Sequence, residues 1–212
     1  MFDRIAPRYD LVNRVMTLGL DRRWRRRTIT ALGLPSGARV LDLGCGTGDL
    51  CEELRARAHA PVGIDLSAGM LGAAHTIAPL VRGDALRLPV PEGTIDGVVS
   101  GFALRNVVDV GALFSECARV LRVGGRIAML ETDEPTNPVL HAGHRLWFRR
   151  IVPALGGRLG RDREAYRYLP RSAAYLPPRH ELLELIGTAG FDAVRHQELG
   201  GGAVQLLTGT RR

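Results

Sequence analysis

Three glycines at alternate positions, Gly44, Gly46 and Gly48, directly follow an apolar run at residues 39–43. The apolar run predicts a buried strand, and the apolar spacing that begins at Leu50 predicts a helix. Glycine lets the backbone approach a ligand closely at such a turn, with the amino terminus of the helix behind it. The feature therefore predicts an open α/β sheet with a cofactor site beyond the carboxyl ends of its strands.

The spacing of these glycines indicates which cofactor to expect. The loop reads G-x-G-x-G, and Asp49 stands where the dinucleotide fingerprint G-x-G-x-x-G has its third glycine. Asp42 precedes the turn, and its carboxylate suits a cationic amino group better than a pyrophosphate. S-adenosyl-L-methionine carries a sulfonium and an ammonium but no phosphate, so we expect it to bind at Asp42 and at the glycine loop.

All 29 basic residues are arginines, and the chain has no lysine. This bias excludes a P-loop lysine, a pyridoxal Schiff base and the Tyr-Lys pair of short-chain dehydrogenases. Three cysteines without metal-type spacing argue against a disulfide framework. No apolar run approaches the ~18 residues of a membrane span. We therefore expect a cytoplasmic protein of one domain.

The net charge of +7 comes with two arginine clusters, one at residues 22–27 and one between residues 145 and 163. A solvated helix face is the default interpretation of such clusters. Peripheral contact with an anionic membrane surface is the sharper alternative, because aromatic and apolar residues are interleaved. No nucleic-acid motif is present, so nucleic acid is not expected as a partner. A homodimer remains an alternative to a monomer.

Strand and helix signals alternate after residue 38, which is typical of a doubly wound parallel sheet. The predicted strands are residues 39–43, 62–65, 80–82, 95–100, 126–131, 192–197 and 203–210. The predicted helices are residues 48–58, 68–74, 110–121 and 180–189, the third of them ending at a Gly124-Gly125 cap. The last two strands are expected to form an antiparallel edge. This is the Rossmann-like layout of class I methyltransferases.

Within a single domain spanning residues 1–212, four parts are predicted. Residues 1–30 form a helical cover of the cofactor cleft, and residues 38–135 form the cofactor-binding core. Residues 138–175 interrupt the α/β rhythm and are interpreted as a helical insertion on the substrate side. Residues 179–212 supply the last helix and two terminal strands.

Acidic residues follow the second and third predicted strands. Asp65, with Leu66 after it, lies about twenty residues beyond the glycine turn, where a carboxylate accepts hydrogen bonds from both ribose hydroxyls. Ser67 is available to cap the next helix, so Asp65 is not needed as a cap. Asp84 can accept from the adenine amine, and the small Ala85 permits ring packing.

Candidate catalytic residues follow the fourth and fifth strands. Arg105 lies just beyond Ser100 and Gly101, at the substrate-facing edge of the sheet, although a surface salt bridge is its alternative. Glu131 is expected to face the same pocket or to cap the next segment. The six histidines form no metal set, and His141 and His144 are interpreted as exposed polar positions.

Motifs along nearly the whole chain resemble the ubiquinone/menaquinone biosynthesis C-methyltransferases. They include the cofactor loop, the segment 102–107, which is similar to the family's F-G-L-R-N signature, the segment 164–169, and the segment 199–204. The resemblance implies transfer of a methyl group from S-adenosylmethionine to a ring carbon of a polyprenylated quinol precursor such as demethylmenaquinol. It implies cofactor contacts at Thr47, Asp65, Asp84 and Ala85. For the transfer itself, we expect Arg105 to stabilise the ionised acceptor oxygen, while water, Glu131 or Tyr166 removes its proton.

The chain also departs from this family near the cleft and in the last strand. The serine expected just before the signature is at Ser100, with Gly101 in its place, and Ala103 replaces a glycine. Thr132, Gly200 and Leu207 also differ from the usual residues. The departures leave the cofactor assignment intact and keep a second reading open, a related methyltransferase acting on another aromatic or prenylated acceptor.

Overall fold

The computed structural model describes residues 3, 6, 9–147 and 175–212, with residues 9–12 described as backbone only. Seven strands form one sheet in the order β3-β2-β1-β4-β5-β7-β6. The strands are β1 Arg39–Leu43, β2 Ala60–Asp65, β3 Leu80–Arg82, β4 Ile95–Gly101, β5 Leu121–Thr132, β6 Phe191–Leu199 and β7 Val204–Arg211. The first five run parallel, and β7 pairs antiparallel with both β5 and β6. The predicted sheet, with its antiparallel edge, is confirmed.

Seven helices connect or cover the strands within the described residues. They are α1 Tyr9–Met16, α2 Asp21–Leu32, α3 Asp49–Arg55, α4 Ala68–Gly72, α5 Val110–Val120, α6 Pro138–Leu146 and α7 Arg179–Thr188. As expected, Ser67 caps α4, its hydroxyl accepting from the amide of Met70 at 3.1 Å. None of these helices is long and apolar enough to cross a membrane.

The predicted glycine cap of α5 is wrong. The helix ends at Val120, and Leu121 already has extended backbone angles. Gly124 and Gly125 lie inside β5, which is longer than predicted. The ladder with β4 is irregular at this point, because Leu121 pairs with Ile95 and the next paired residue of β5 is Arg126, opposite Gly97.

The central strands of the sheet are buried on both faces, and alternate residues of each strand point to opposite sides. Leu41, Val98 and Ile127 pack against α5 and α7 on one face. Val40 and Val99, from the same strands, pack against α2 and α3 on the other. This alternation explains why the central strands read as continuous apolar runs.

The amino-terminal cover and α6 meet over the carboxyl edge of the sheet. The indole Nε1 of Trp147 donates to the carbonyl of Met16 at 3.0 Å, which joins the end of α6 to the end of α1. Of the predicted insertion at residues 138–175, residues 148–174 lie outside the described part of the chain.

Candidate active site

The glycine loop after β1 forms the floor of a cleft of about 560 Å³. Gly44 and Gly46 have φ angles of +65° and +57°, which side chains rarely adopt. A Cβ on Gly44 would lie 2.5 Å from the Cβ of Ala103, so only glycine lets the loop fit beneath the turn that follows β4. The loop thus presents main chain to a ligand at close range.

Asp42, at the base of the loop, carries an unsatisfied oxygen. The residue is 1% exposed, and its Oδ1 is buried without a hydrogen-bond partner. Its Oδ2 accepts from the Cys51 thiol at 3.4 Å. Burial raises the pKa of this carboxyl to about 7, against smaller opposing effects of Cys51 and Arg25. Such a buried oxygen is expected to have a partner, and an ammonium group of a ligand would supply one.

Two further carboxylates reach the cleft from the ends of β2 and β3. Asp65 accepts from the amides of Gly46 and Ser67, both at 2.8 Å, so its carboxylate ties the glycine loop to the second strand. Asp84 accepts from the amide of Leu86 at 2.9 Å. Both side chains line the cleft, and their contacts with ribose and adenine stay predictions.

The cleft brings together nearly all of the predicted cofactor residues. Those that line it are Asp42, Gly44, Gly46, Thr47, Asp65, Leu66, Asp84, Ala85, Ser100 and Gly101. Gly48 does not line it, contrary to expectation. With φ +93° it is the residue before α3, and a Cβ there would lie 2.4 Å from the Thr76 side chain. Its role is to turn the chain into the helix.

The charges of the cleft fit a cationic ligand. Five carboxylates and two guanidinium groups line it among the described residues: Asp3, Asp42, Asp49, Asp65, Asp84, Arg25 and Arg82. An anionic pyrophosphate would be repelled there, whereas the sulfonium and ammonium of S-adenosyl-L-methionine would be attracted. The unsatisfied Asp42 oxygen and the glycine floor therefore fit that cofactor.

A second cavity of about 370 Å³ adjoins the cleft and is mainly apolar. Its walls come from α1, α2, α6, the turns after β4 and β6, and the start of β7. Among its lining residues are Met16, Leu20, Trp24, Val139, Leu140, Trp147 and Val204. Arg25 and Phe102 line both cavities and form their shared boundary.

Arg105 lines this apolar cavity and forms a buried ion pair with Glu131. The Glu131 side chain is 0% exposed and lines neither cavity, so the expectation that it faces the pocket is wrong. Its oxygens accept from the Arg105 side chain and amide, the latter at 3.2 Å, and from the Thr132 amide at 2.7 Å. The carboxylate is turned inward to fasten the Leu104–Asn106 turn to β5. Tyr166 lies outside the described residues.

Two site residues belong to the arginine cluster that was interpreted as a solvated helix face. Trp24 and Arg25 are each 8% exposed, whereas Arg22 and Arg23 are exposed. The buried positions of α2 are Asp21, Trp24, Arg25, Thr28, Ile29 and Leu32. This i, i+3, i+4, i+7 spacing is visible in the sequence and identifies the inward face.

The two histidines of α6 are not exposed as predicted. Both are half-buried, and His144 lines the apolar cavity. Burial lowers the pKa of His144, so its ring is neutral at pH 7. In the part of the chain that the structure describes, no three His, Cys, Asp or Glu side chains are grouped as metal ligands.

Curated relatives match this chain over its full length. A demethylmenaquinone methyltransferase of Roseiflexus sp. (strain RS-1) is 45% identical over 219 residues, covering 100% of this chain and 92% of the relative. The ubiquinone/menaquinone biosynthesis C-methyltransferase UbiE of Syntrophotalea carbinolica is 42% identical over 221 residues, again covering 100% and 92%.

Solved structures share the fold at low identity. The complex between the Haloferax volcanii Trm112 methyltransferase activator and the putative methyltransferase contains a chain with a TM-score of 0.70 at 18% identity, covering 99% of this chain and 96% of that chain. Phosphoethanolamine N-methyltransferase 2 of Haemonchus contortus, in complex with S-adenosyl-L-methionine, has a TM-score of 0.66 at 14% identity, covering 88% and 52%. The model of the ubiE/COQ5 methyltransferase family matches residues 1–211. The chain belongs to the ubiE/COQ5 methyltransferase family.

Proposed function

We propose that the chain transfers a methyl group from S-adenosyl-L-methionine to a ring carbon of a prenylated quinol precursor such as demethylmenaquinol. The observation that carries this proposal is the junction of the two cavities. An acid-lined cleft with a glycine floor meets an apolar cavity across Arg25 and Phe102. A cationic methyl donor and an apolar acceptor would meet at this boundary.

When bound, the cofactor supplies an electrophilic methyl group on its sulfonium. Asp65 would hold the ribose, Asp84 the adenine amine, and Asp42 the ammonium. Gly44 and Gly46 allow the donor to approach the backbone. These contacts fix the donor relative to the cavity boundary, and such positioning contributes much of the catalysis of a bimolecular transfer.

Arg105 is the candidate catalytic residue on the acceptor side. A ring carbon becomes nucleophilic when a neighbouring hydroxyl is ionised, and the guanidinium can stabilise that phenolate. A guanidinium stays protonated in proteins, so Arg105 is a poor base. Glu131 lines neither cavity and already accepts from Arg105 and Thr132, so we assign it to positioning and assign proton removal to solvent in the cavity.

Methyl transfer to defined acceptors tests this function. The full chain is incubated with labelled S-adenosyl-L-methionine and demethylmenaquinol, its ubiquinone-pathway counterpart, or a panel of simple phenols. We expect label in the quinol ring and weaker labelling of phenols, which fill little of the apolar cavity. Label only in the simple phenols would favour the second reading, another aromatic acceptor.

We further propose that the mouth of the apolar cavity docks on an anionic lipid bilayer, where a prenylated quinol resides. Four apolar side chains at this mouth are strongly exposed: Leu18 at 71%, Leu20 at 41%, Val139 at 79% and Leu140 at 49%. Arg22 and Arg23, at the start of α2 directly after Leu20, and Arg145 of α6 are exposed as well. Apolar side chains flanked by cations are typical of an interfacial surface.

Co-sedimentation with liposomes tests this docking. Binding to anionic vesicles is expected to exceed binding to neutral vesicles and to fall in the Arg22→Glu/Arg23→Glu variant. The Arg195→Glu/Arg212→Glu variant makes the same charge change on the β6–β7 hairpin and should bind as the unaltered chain does. Equal binding by both variants would contradict the proposed surface.

A further inference from the structure

Arg25 is a buried cation at the boundary of the two cavities. It projects from α2 of the amino-terminal cover and is 8% exposed, although its neighbours Arg22, Arg23 and Arg26 are exposed. It lines both the acid-lined cleft and the apolar cavity. Burying a guanidinium is costly unless anionic partners compensate for the lost solvent. A buried guanidinium at this boundary therefore implies anionic groups around it.

Two carboxylates hold this guanidinium in place. Its NH1 pairs with Asp21 one helical turn earlier, and its NH2 lies 3.0 Å from Oδ2 of Asp49, the first residue of α3. Asp21 also accepts from the Thr17 hydroxyl at 3.0 Å, and Asp49 lies 3.1 Å from Nε2 of His75. The guanidinium is thus fixed between the cover and the core while it borders the cleft.

The position of Arg25 relative to Asp42 indicates which part of the ligand it meets. Both residues line the same cleft, and Arg25 pairs with Asp49 at the end of the glycine loop that Asp42 precedes. In an α-amino acid the carboxylate and the ammonium are attached to the same carbon atom. If the unsatisfied Asp42 oxygen takes the ammonium, the carboxylate must lie within a few ångströms of it.

The described part of the chain offers one other cation at this cleft, Arg82. Its Nε donates to the carbonyl of Leu66 at 3.2 Å, directly beyond Asp65 and close to Asp84 in sequence. That is the end of the cleft assigned to ribose and adenine. Arg25 is therefore the cation placed for the amino-acid end.

We propose that Arg25 binds the α-carboxylate of the cofactor's amino-acid end, so that the amino-terminal cover contributes a cofactor ligand. This inference rests on the proposed function, because it requires S-adenosyl-L-methionine in the cleft. Asp42 and Arg25 then form a complementary pair for the ammonium and the carboxylate. Because Arg25 also lines the apolar cavity, the bound carboxylate would hold one wall of that cavity in place.

Removing the carboxylate from the ligand tests this contact without altering the protein. Isothermal calorimetry compares S-adenosyl-L-methionine with decarboxylated S-adenosylmethionine on the full chain. A hydrogen-bonded charge pair corresponds to about a tenfold to hundredfold preference for the carboxylated form. We expect that preference in the unaltered chain.

Arg25→Met is expected to abolish the preference, so that both ligands bind with similar Kd. Arg25→Gln, which retains hydrogen-bonding groups for Asp21 and Asp49, serves the same purpose if Arg25→Met does not fold. Arg26→Met, at an exposed position on the same helix, should retain the full preference.

The outcomes separate this inference from the proposed function. A chain that binds neither ligand would refute the methyltransferase proposal itself. A chain that binds both equally well, or an Arg25 variant that keeps the full preference, would leave the cofactor assignment standing and overturn the role of Arg25. A loss of affinity that is equal for both ligands would mean that Arg25 serves the structure of the cleft alone.

Discussion

The two cavities of this protein are built in different ways. The cofactor cleft is formed by turns at the carboxyl ends of β1 to β4, and carboxylates and main chain dominate its lining. The apolar cavity, which we assign to the acceptor and call the acceptor cavity from here on, is formed by the helices α1, α2 and α6 and by turns after β4 and β6. Each part of the charged cleft thus comes from a short strand and the turn that follows it. The apolar cavity instead needs segments that are far apart in the sequence to pack together.

The largest expected effect is a loss of the rate of methyl transfer on changing a residue of the acceptor cavity. Arg105→Ala should lower the single-turnover rate by about 100- to 1,000-fold, as expected when one donor to a developing oxyanion is lost. The Kd for S-adenosyl-L-methionine, measured by calorimetry, should change little, because Arg105 lines the apolar cavity. Full activity would eliminate the phenolate role.

Stability needs a separate control in this experiment. Removing Arg105 leaves Glu131 buried without its partner, which costs about 3–5 kcal/mol of unfolding free energy. The Arg105→Ala/Glu131→Gln variant removes that orphaned charge and should recover part of the loss in thermal melts. Its turnover should remain low, since the donor is still missing.

In the cofactor cleft the opposite is expected: a substitution should lower the affinity for the cofactor more than the rate of methyl transfer. Asp65→Ala should weaken cofactor binding by about tenfold to a hundredfold, because a charged acceptor for two hydroxyls is lost. At saturating cofactor the turnover rate should fall far less than in Arg105→Ala. An unchanged Kd by calorimetry would count against the ribose assignment.

The affinity for S-adenosyl-L-methionine should fall about tenfold per pH unit below pH 7, because its site in the cleft includes the titrating carboxyl of Asp42. Cofactor affinity should rise with pH and level off above about 7, because the ammonium pairs with ionised Asp42, whose pKa is raised to about 7. Arg25, Asp49, Asp65 and the Cys51 thiol face this carboxyl. The Asp42→Asn variant should lose this dependence; if it kept the same profile, another group would be titrating.

The same carboxyl affects the stability of the free protein in the opposite direction. Between the ordinary pKa of 3.8 and about 7, the folded state holds the Asp42 proton more tightly than the unfolded state does. The contribution of Asp42 to the unfolding free energy therefore falls as pH rises through that range. In denaturant titrations at several pH values, the unfolding free energy of the unaltered chain should fall with pH over this range relative to that of the Asp42→Asn variant.

The smallest effect concerns the wall of the acceptor cavity. Gly143 lies within α6, and a Cβ there would meet no atom within 4 Å. Gly143→Ala should raise the unfolding free energy by about 0.5–1 kcal/mol, as expected for a helix interior, without changing activity.

Gly143→Trp, which narrows the cavity, should raise the KM for the prenylated acceptor and leave the cofactor Kd unchanged.

The sequence was sufficient to predict the cofactor side, because its signals are local. The apolar run before Gly44 and the acids after β2 and β3 each belong to one short strand-turn unit. The acceptor side could not be predicted in this way. Glu131 follows an apolar run, and nothing in that run shows that its carboxylate turns inward toward Arg105.

Two errors have identifiable physical causes. The sequence predicts a helix cap at Gly124 and Gly125, but these glycines form the irregularity of β5, where the ladder with β4 passes from Leu121 to Arg126 and Gly124 has a φ angle of +78°. The charge of the arginine run predicts a solvated helix face and so gives no sign of the buried Arg25. Its spacing from Trp24, Ile29 and Leu32 would have placed it on the buried face of α2.

The hydrogen bond from Trp147 to Met16 links residues that are 131 positions apart in the chain. Contacts of such high sequence separation gain little until both partners have docked on the sheet. The acceptor cavity should therefore open by a local detachment of the α1 and α6 segments while the sheet stays intact. In amide hydrogen exchange, we expect α1 and α6 to lose protection well before β1 and β4, so that the acceptor can enter and the product leave without unfolding of the core.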